Sequence, residues 1–533
     1  MTTIQDTLIR AATLHQAGDA DRAAVLYRLV LTTDPAQPDA LHLLGLLRRR
    51  SDPGQGAALV NRTLRLIPAH AAALLNQGGT LMQMGRLDEA MAHFRRKLEV
   101  DPDCAATLQR LGTEALACGR IDEAERLLRR AAVVEAGGRV PGSRLRCALE
   151  RCVTARTIRD DAADPSLPPG LVVRGVFRDS SGYAYAVRRF VQELVAAGIH
   201  VRLVDLNYGD ADNLPDDQID PLLLSLDRPV RAKAVLSITT PPAVERIPGL
   251  KTINFSMFEG VDIPPLWATL SRRHDHVVVA TDSSRTAWLR AGHPQDRIHI
   301  CPAGVDEIDP GGIAPAPIAD HMGRRFADYP VRILNVSDFT DRKNLDGLLR
   351  VWVRATRAED RAALLLKVGK SSGVAGRIGE LLVRAAAQVG RPAMGVAPIF
   401  LVEGKLPDAG MMSLHAASTH YWSMSHGEGW DLPMAQAGAM GLTLLAPDHS
   451  AYRAYLDGRF AHMIPSAVTP AIGAYAGQDW WSPDEDAAAR LLRAVIDDPA
   501  GTRRSAQAHL LEHFNWQAAT RRLITLLREL DAL

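Results

Sequence analysis

The sequence predicts an α-helical solenoid followed by two doubly wound α/β domains with parallel sheets that face a cleft. Three observations carry that expectation. Near the start, helix-like segments recur with a spacing of 34 residues; from residue 171, short apolar runs alternate with amphipathic stretches; and a Gly/Pro-rich stretch at 309–330 splits those runs into two sets. At one domain per roughly 150 residues, 533 residues hold three or four domains with sizeable cores.

The repeat comes first. The segments HQAGDADRAAVLYRLVLTTDP (15–35), MQMGRLDEAMAHFRRKLEVDP (82–102) and ACGRIDEAERLLRRAAVVEA (117–136) share one skeleton. Gly18, Gly85 and Gly119 form its turn, Ala23, Ala90 and Ala124 follow five residues later, and Tyr27, Phe94 and Leu128 four after that, on the same helical face. The segment 41–68 fits with one residue deleted, and Gly45 then matches Gly78 and Gly112. Four units cover about residues 3 to 136. They resemble the tetratricopeptide repeat, whose helix pairs use Gly where backbones cross, Ala where helices touch and Pro after the second helix. The resemblance implies a concave surface that docks a protein or peptide, or else a spacer or a self-association module that makes a homo-oligomer.

Residues 137–170 read as a linker, with a Gly/Pro entry, a short helix near 143–157 and a Pro-rich exit. Strands are then expected at 171–177, 200–206, 234–240, 251–258, 276–282 and 297–302, which assigns 171–315 to a first α/β half. A second set at 331–339, 363–369, 397–404, 419–425 and 442–448 assigns 316–500 to a second half, and 501–533 to helices that pack back on this core.

In paired α/β domains, ligands sit at strand C-termini and helix N-termini. The richest such place is SMSHGEGWDLPMAQAGAMGLTLLAPDHSAYRAYL (423–456). A strand is expected to end near Ser425, Gly427 and Gly429 permit close backbone approach, and Pro433 suits a first helical turn. The amides of Leu432 to Ala435 would then offer a seat for a diphosphate. At this point EGWDLPMAQAGAMG (428–441) resembles the E-x7-E element of retaining GT-B glycosyltransferases of the family-four type. NVSDFTDRKNLDGLLRVW (335–352) is similar to that family's phosphate-binding loop, and ICPAGVD (300–306) and HFNW (513–516) extend the likeness.

The resemblance implies a donor that is a nucleotide-diphosphate sugar, no separate cofactor and no metal. It implies that Glu428 binds donor-sugar hydroxyls and supports charge at the anomeric carbon, and that Lys343 and the adjacent Arg342 contact the diphosphate. Gly182 would meet the donor phosphate or acceptor across the cleft, with Ser337 at the first-strand turn. Glu403, Gly404 and Lys405 would cradle the base, and Leu432, Pro433 and Gln436 would complete the donor site. Two positions depart from the family pattern: Gln436 stands where the second acid is usual, with hydrogen bonds to ribose hydroxyls as its implied role, and Asp338 follows Ser337 where Arg is common. A carboxylate at 338 would repel a diphosphate unless Arg342 pairs with it. The function implied is transfer of a sugar to an acceptor hydroxyl with retention, the acceptor being a protein or a protein-docked glycan recruited by the repeats. The alternatives are an inactive GT-B scaffold that binds a sugar nucleotide, or an enzyme acting on a lipid-linked or small-molecule glycan.

Composition narrows the partners. Lys plus Arg total 62 against 61 for Asp plus Glu, so no basic field attracts nucleic acid. No apolar run approaches the roughly 20 residues of a membrane-spanning helix, and MTTIQDTLIR lacks the pattern of a secretory signal, so a soluble cytoplasmic protein is expected. Five cysteines without CxxC pairing read as reduced thiols. Only seven basic residues are lysines, and Lys343, Lys367, Lys370 and Lys405 cluster in the second α/β half.

Overall fold

The computed structural model describes residues 3–49, 51–136, 142–206, 213–369 and 373–533; Lys370 and residues 137–141 of the expected linker lie outside them. The chain forms two compact units. One comprises Met1–Ala163 with Pro241–Thr252 and Pro264–Asp275; the other comprises Asp164–Thr240, Ile253–Ile263 and His276–Leu533.

The first unit is built from the helices α1 (Ile4–Gln16), α2 (Ala20–Thr33), α3 (Pro38–Arg48), α4 (Pro53–Leu66), α5 (Ala71–Gln83), α6 (Leu87–Val100), α7 (Ala105–Ala117), α8 (Ile121–Ala136) and α9 (Ser143–Ala162). Sequence signals set the starts: Thr3 closes a capping box with Asp6, Asp19 and Asp52 accept from backbone amides three residues on, and Pro38 and Pro53 open their helices. The turn glycines Gly18, Gly85 and Gly119 all adopt positive φ. Gly78 and Gly112 mark close crossings, since a Cβ there would lie 2.4 Å from the Phe94 ring and 2.7 Å from Leu128 Cγ. Ala23, Ala90, Ala124, Tyr27, Phe94 and Leu128 are fully buried. The expected linker differs: its helix is 20 residues long, packs against α8, and ties to it where Arg156 pairs with Asp122 and Glu125. The segments 241–252 and 264–275 also belong to this unit. Thr269 Oγ1 donates to the Gly85 carbonyl (2.9 Å), Arg273 pairs with Glu114 (2.6 Å), and Arg151 pairs with the buried Glu245.

The second unit holds two six-stranded sheets. In the first half, β1 (Pro169–Gly175), β2 (His200–Asp205), β3 (Arg231–Ile238), β4 (Lys251–Ser256), β5 (His276–Val279) and β6 (Ile298–Ile300) are ordered β2-β1-β3-β4-β5-β6. In the second half, β7 (Val331–Ser337), β8 (Ala362–Val368), β9 (Ile399–Glu403), β10 (His420–Trp422), β11 (Thr443–Pro447) and β12 (His462–Ile464) are ordered β12-β11-β10-β7-β8-β9. The paired strands of both sheets run parallel. Every expected strand is present. The reading missed β12 and an antiparallel hairpin of β13 (Ser466–Pro470) and β14 (Asp479–Pro483), whose half-exposed pattern lacks a long apolar run.

Helices alternate with these strands in the chain: α10 (Gly182–Ala196), α11 (Pro221–Leu224) and α13 (Asp282–Arg290) precede the second half, as does α12 (Pro265–Ser271), which belongs to the first unit. There follow α14 (Leu345–Ala355), α15 (Val374–Val389), α16 (Asp408–Ala417), α17 (Leu432–Ala439), α18 (Tyr452–Tyr455), α19 (Glu485–Asp497), α20 (Gln507–His513) and α21 (Trp516–Glu529). The strand interiors are fully buried, as β8 shows from end to end, because helices lie on both faces. α21 returns to the first half, where Trp516 packs edge-on against Phe190 and fills the space left by Gly304. A helical repeat array followed by two doubly wound parallel halves is therefore the fold, and the two halves have the GT-B arrangement. No helix among the described residues is long and apolar enough to cross a membrane.

Candidate functional site

The second sheet reverses its strand order between β7 and β10, and in such sheets the crevice for a ligand opens at the strand C-termini beside that reversal. The loops that leave β7 and β10 there, 338–344 and 423–431, meet loops from the first half across a cleft of about 340 Å³. The first half contributes Gly182, Tyr183, Met257 and Glu259 to its wall. Tyr183 braces that wall: its hydroxyl donates to the Met257 carbonyl (3.1 Å) and accepts from the Met257 amide (2.7 Å).

Glu428 is the centre of the charged network. Its carboxylate lies 2.8 Å from Arg342 Nη1 and 2.7 Å from Lys343 Nζ, and only 6% of the residue is exposed. Burial opposes its charge, but Arg342 and Lys343 together outweigh that and hold the carboxyl well below the ordinary range. The same balance acts on Lys343, where burial is overcome by Glu428 and Asp431 and the ammonium is held more firmly protonated. Two further acids line this end of the cleft and shift the other way. Burial, assisted by Glu428, raises Asp431; burial also raises Glu259, against the pull of Arg342.

Of the four non-glycine residues with positive φ among the described residues, three surround Glu428: Asn344 (51°), Asp431 (59°) and Ser450 (40°). Left-handed backbone at such residues is strained and is retained where the surroundings enforce it. Asn344 directly follows Lys343, caps α14 by accepting from Gly347 N–H, and donates to the Met424 carbonyl (3.0 Å). Asp431 accepts from the Tyr452 hydroxyl (2.8 Å), and Ser450 Oγ accepts from the Glu428 amide (3.4 Å). His449 steadies this corner, stacked on Trp481 and bonded to the Ser425 carbonyl and Ser450. None of these supports belonged to the sequence reading; the nearest signal was three polar residues in loops flanking the glycine-rich stretch.

The other residues singled out by sequence fall in several places. Gly182, Ser337, Lys405, Gly429, Leu432, Pro433 and Gln436 line the cleft, whereas Glu403, Gly404 and Gly427 do not. Ser337 Oγ donates to Asn335 (2.6 Å), and Glu403 accepts from the Ala375 amide (3.0 Å) at the start of α15. Gly427 and Gly429 serve approach between the halves: a Cβ on Gly427 would lie 1.8 Å from the Glu259 carbonyl oxygen, and one on Gly429 would lie 2.8 Å from Met257 Cβ.

The amides of 432–435 are not an open row. Asp431 occupies Met434 N–H with its carboxylate (3.4 Å) and Ala435 N–H with its carbonyl (3.1 Å), and Pro433 has none, which leaves Leu432. Both ends of the Gln436 amide are taken by the Asp306 backbone, at 2.8 and 3.1 Å, so in this structure the side chain joins the halves at the cleft wall. Arg188 makes a second such link to Asp408 (2.9 Å). Nor does Asp338 pair with Arg342, which Glu428 and the Gly427 carbonyl occupy; its charged neighbour is Lys367. His426 packs flat on Trp480 and bonds the Trp481 carbonyl, away from the cleft wall.

Comparison with known proteins gives three findings. The family model for the tetratricopeptide repeat matches residues 81–137. No curated protein matches the chain. Among solved structures, the sucrose-phosphate synthase of Thermosynechococcus elongatus is similar at 17% identity and a TM-score of 0.48, over 68% of this chain and 99% of that one. A mutant of the O-GlcNAc transferase of Thermobaculum terrenum is similar at 17% identity and a TM-score of 0.42, over 99% and 98%. Anabaena HepE in complex with UDP and glucose is similar at 13% identity and a TM-score of 0.48, over 68% and 99%.

Proposed function

We propose that this protein is a retaining glycosyltransferase that moves a sugar from a nucleotide-diphosphate sugar to an acceptor hydroxyl. The observation that carries the reading is the buried Glu428 held between Arg342 and Lys343 at the strand ends of a cleft between two doubly wound halves. A diphosphate arriving there competes with Glu428 for two cations that are fixed in place. Arg342 and Lys343 then neutralise the charge that grows on the departing diphosphate, acting in place of a metal ion. Glu428, released from them, accepts hydrogen bonds from sugar hydroxyls and stabilises positive charge at the anomeric carbon. The bond from that carbon to the phosphate oxygen breaks, the acceptor oxygen bonds on the same face, and the acceptor proton passes to the phosphate oxygen. Configuration is thereby retained. The links from Gln436 and Arg188 hold the halves together while this happens and restrict access of water.

The repeats support an acceptor that is a protein or a protein-docked glycan, since helical arrays of this kind present extended docking surfaces. A nucleotide-sugar donor suits a cytoplasmic reaction. The test is a panel of sugar nucleotides assayed for release of nucleoside diphosphate, with proteins, lipid-linked glycans and free glycans as acceptors. Release that Lys343→Ala and Glu428→Ala abolish supports the reading. Donor affinity with no turnover on any acceptor would make the protein a sugar-nucleotide-binding scaffold instead.

A further inference from the structure

The sequence counted Lys367 among the lysines gathered at the strand ends of the second half but gave it no role of its own in the site. It occupies the penultimate position of β8, beside Val336 of β7, and lines the same cleft. Only 5% of it is exposed. The buried Lys97 has the carboxylate of Asp101 in contact, and the partly buried Lys343 has that of Glu428. The Lys367 ammonium makes no hydrogen bond and no ion pair among the described residues. The one charge that acts on it is Asp338, and the two groups meet over a glycine: a Cβ on Gly369 would lie 2.9 Å from Asp338 Oδ1 and 3.8 Å from Lys367 Nζ. An ammonium sequestered without a contacting partner is costly, and folds keep such groups mainly where a ligand completes them. The partly buried Arg342 and Lys343 are already committed, because Glu428 holds both.

We propose that Lys367 is a donor-binding residue that contacts a phosphate oxygen of the nucleoside diphosphate, with Asp338 orienting its ammonium from across Gly369. This rests on the glycosyltransferase reading and adds to it the residue that supplies the uncommitted charge. It also gives the departure at 338 a purpose. The family-type arginine is absent from the β7 turn, and a lysine on the neighbouring strand brings the cation to the same end of the cleft, with the carboxylate of Asp338 as its guide. Burial draws the Lys367 ammonium below its ordinary range while Asp338 pulls it back, a balance that an arriving phosphate would tip toward the charged form.

The experiment is calorimetric binding of UDP, GDP and ADP to the full chain, wild type against Lys367→Met and Asp338→Asn, with thermal unfolding of each ligand-free variant. Loss of one charge-assisted contact predicts that the diphosphate which binds wild type binds Lys367→Met about 10- to 100-fold more weakly, with a smaller loss for Asp338→Asn. Since the methionine removes an unpaired buried charge, Lys367→Met should unfold no earlier than wild type. Equal affinity in wild type and Lys367→Met overturns the assignment and leaves the enzyme reading standing. A variant that unfolds early with unchanged affinity gives Lys367 a structural role and also overturns it. No binding of any of the three by wild type sinks both.

Discussion

In the helical unit a glycine admits an aromatic ring, and in the cleft a glycine admits a carbonyl. A Cβ at Gly78 would meet the ring of Phe94 on the next helix; a Cβ at Gly427 would meet the backbone oxygen of Glu259 in the other half. The array repeats its contact along the chain, between neighbours in sequence, with apolar partners. The cleft makes its contact once, between segments about 170 residues apart, and beside it gathers the buried Glu428 and Asp431 with the partly buried Arg342 and Lys343. Stability in the first region comes from many similar contacts, each replaceable in kind. In the second it depends on charges that compensate one another, so each removal exposes a partner.

The most severe way to break that contrast is to remove the carboxylate on which both cations rely. Glu428→Ala should lower nucleoside diphosphate release by about 10²–10³-fold. It should also destabilise the second unit by about 3–5 kcal/mol, because two partly buried cations lose their counter-charge. Denaturant unfolding followed by tryptophan fluorescence reads the second effect. If stability is unchanged, the cations are solvated and the site is looser than described. Gly427→Ala comes next. The obstacle is backbone, which cannot rotate away, so turnover should fall at least about tenfold as the halves are held apart. Gly78→Ala presses on a side chain instead. About 1–3 kcal/mol of array stability should be lost, with transfer to a small acceptor unaltered. Equal loss of turnover in Gly78→Ala and Gly427→Ala would erase the distinction between the two regions.

The same contrast explains what the sequence disclosed. Gly85, Ala90 and Phe94 were legible because the motif recurs, and the strands of both sheets were legible as apolar runs bounded by Gly and Pro. Glu428, Lys343 and Arg342 came from local motifs, and the structure brings them into contact. What stayed hidden was non-local. Nothing near Gln436 announces that Asp306, 130 residues earlier, occupies both ends of its amide. Asp431 lies inside the motif, yet its part in filling the first-turn amides depends on a left-handed backbone that Tyr452 helps to hold. Lys367 was legible only as one of several lysines at strand ends, since only the fold shows that no contacting carboxylate awaits it.

The smallest expected effect is a difference in acid sensitivity between the two units. Burial lowers His42 in the array to about 4, with His70 adding to the effect; in the second unit it lowers His420 to about 4 and His449 to about 3. These histidines are neutral in the folded chain, while in the unfolded chain they take up protons near the ordinary value of about 6.5. Below that value the unfolded state binds more protons, so stability falls as pH falls, and it does so until the folded groups titrate. Each histidine can remove at most about 2 kcal/mol between pH 7 and pH 5. Burial lowers seven histidines of the second unit, His299, His415, His420, His426, His449, His462 and His509, against His42 and His93 of the array. The raised carboxyls of Asp306, Asp431 and Glu259, which take up protons in the folded chain as pH falls, offset only part of the second unit's loss. Glu428 adds to the loss only at lower pH, because its depressed carboxyl contributes stability that is complete above the ordinary carboxylate range and disappears as pH falls through the folded value. Seven of the eight tryptophans belong to the second unit, so urea unfolding at pH 7 and pH 5 by fluorescence follows that unit, and far-ultraviolet dichroism adds the array. The fluorescence midpoint should move further than the dichroism midpoint. His449→Gln should shrink the fluorescence shift and leave the array's shift alone, whereas an unchanged fluorescence shift would place the acid sensitivity elsewhere in the second unit.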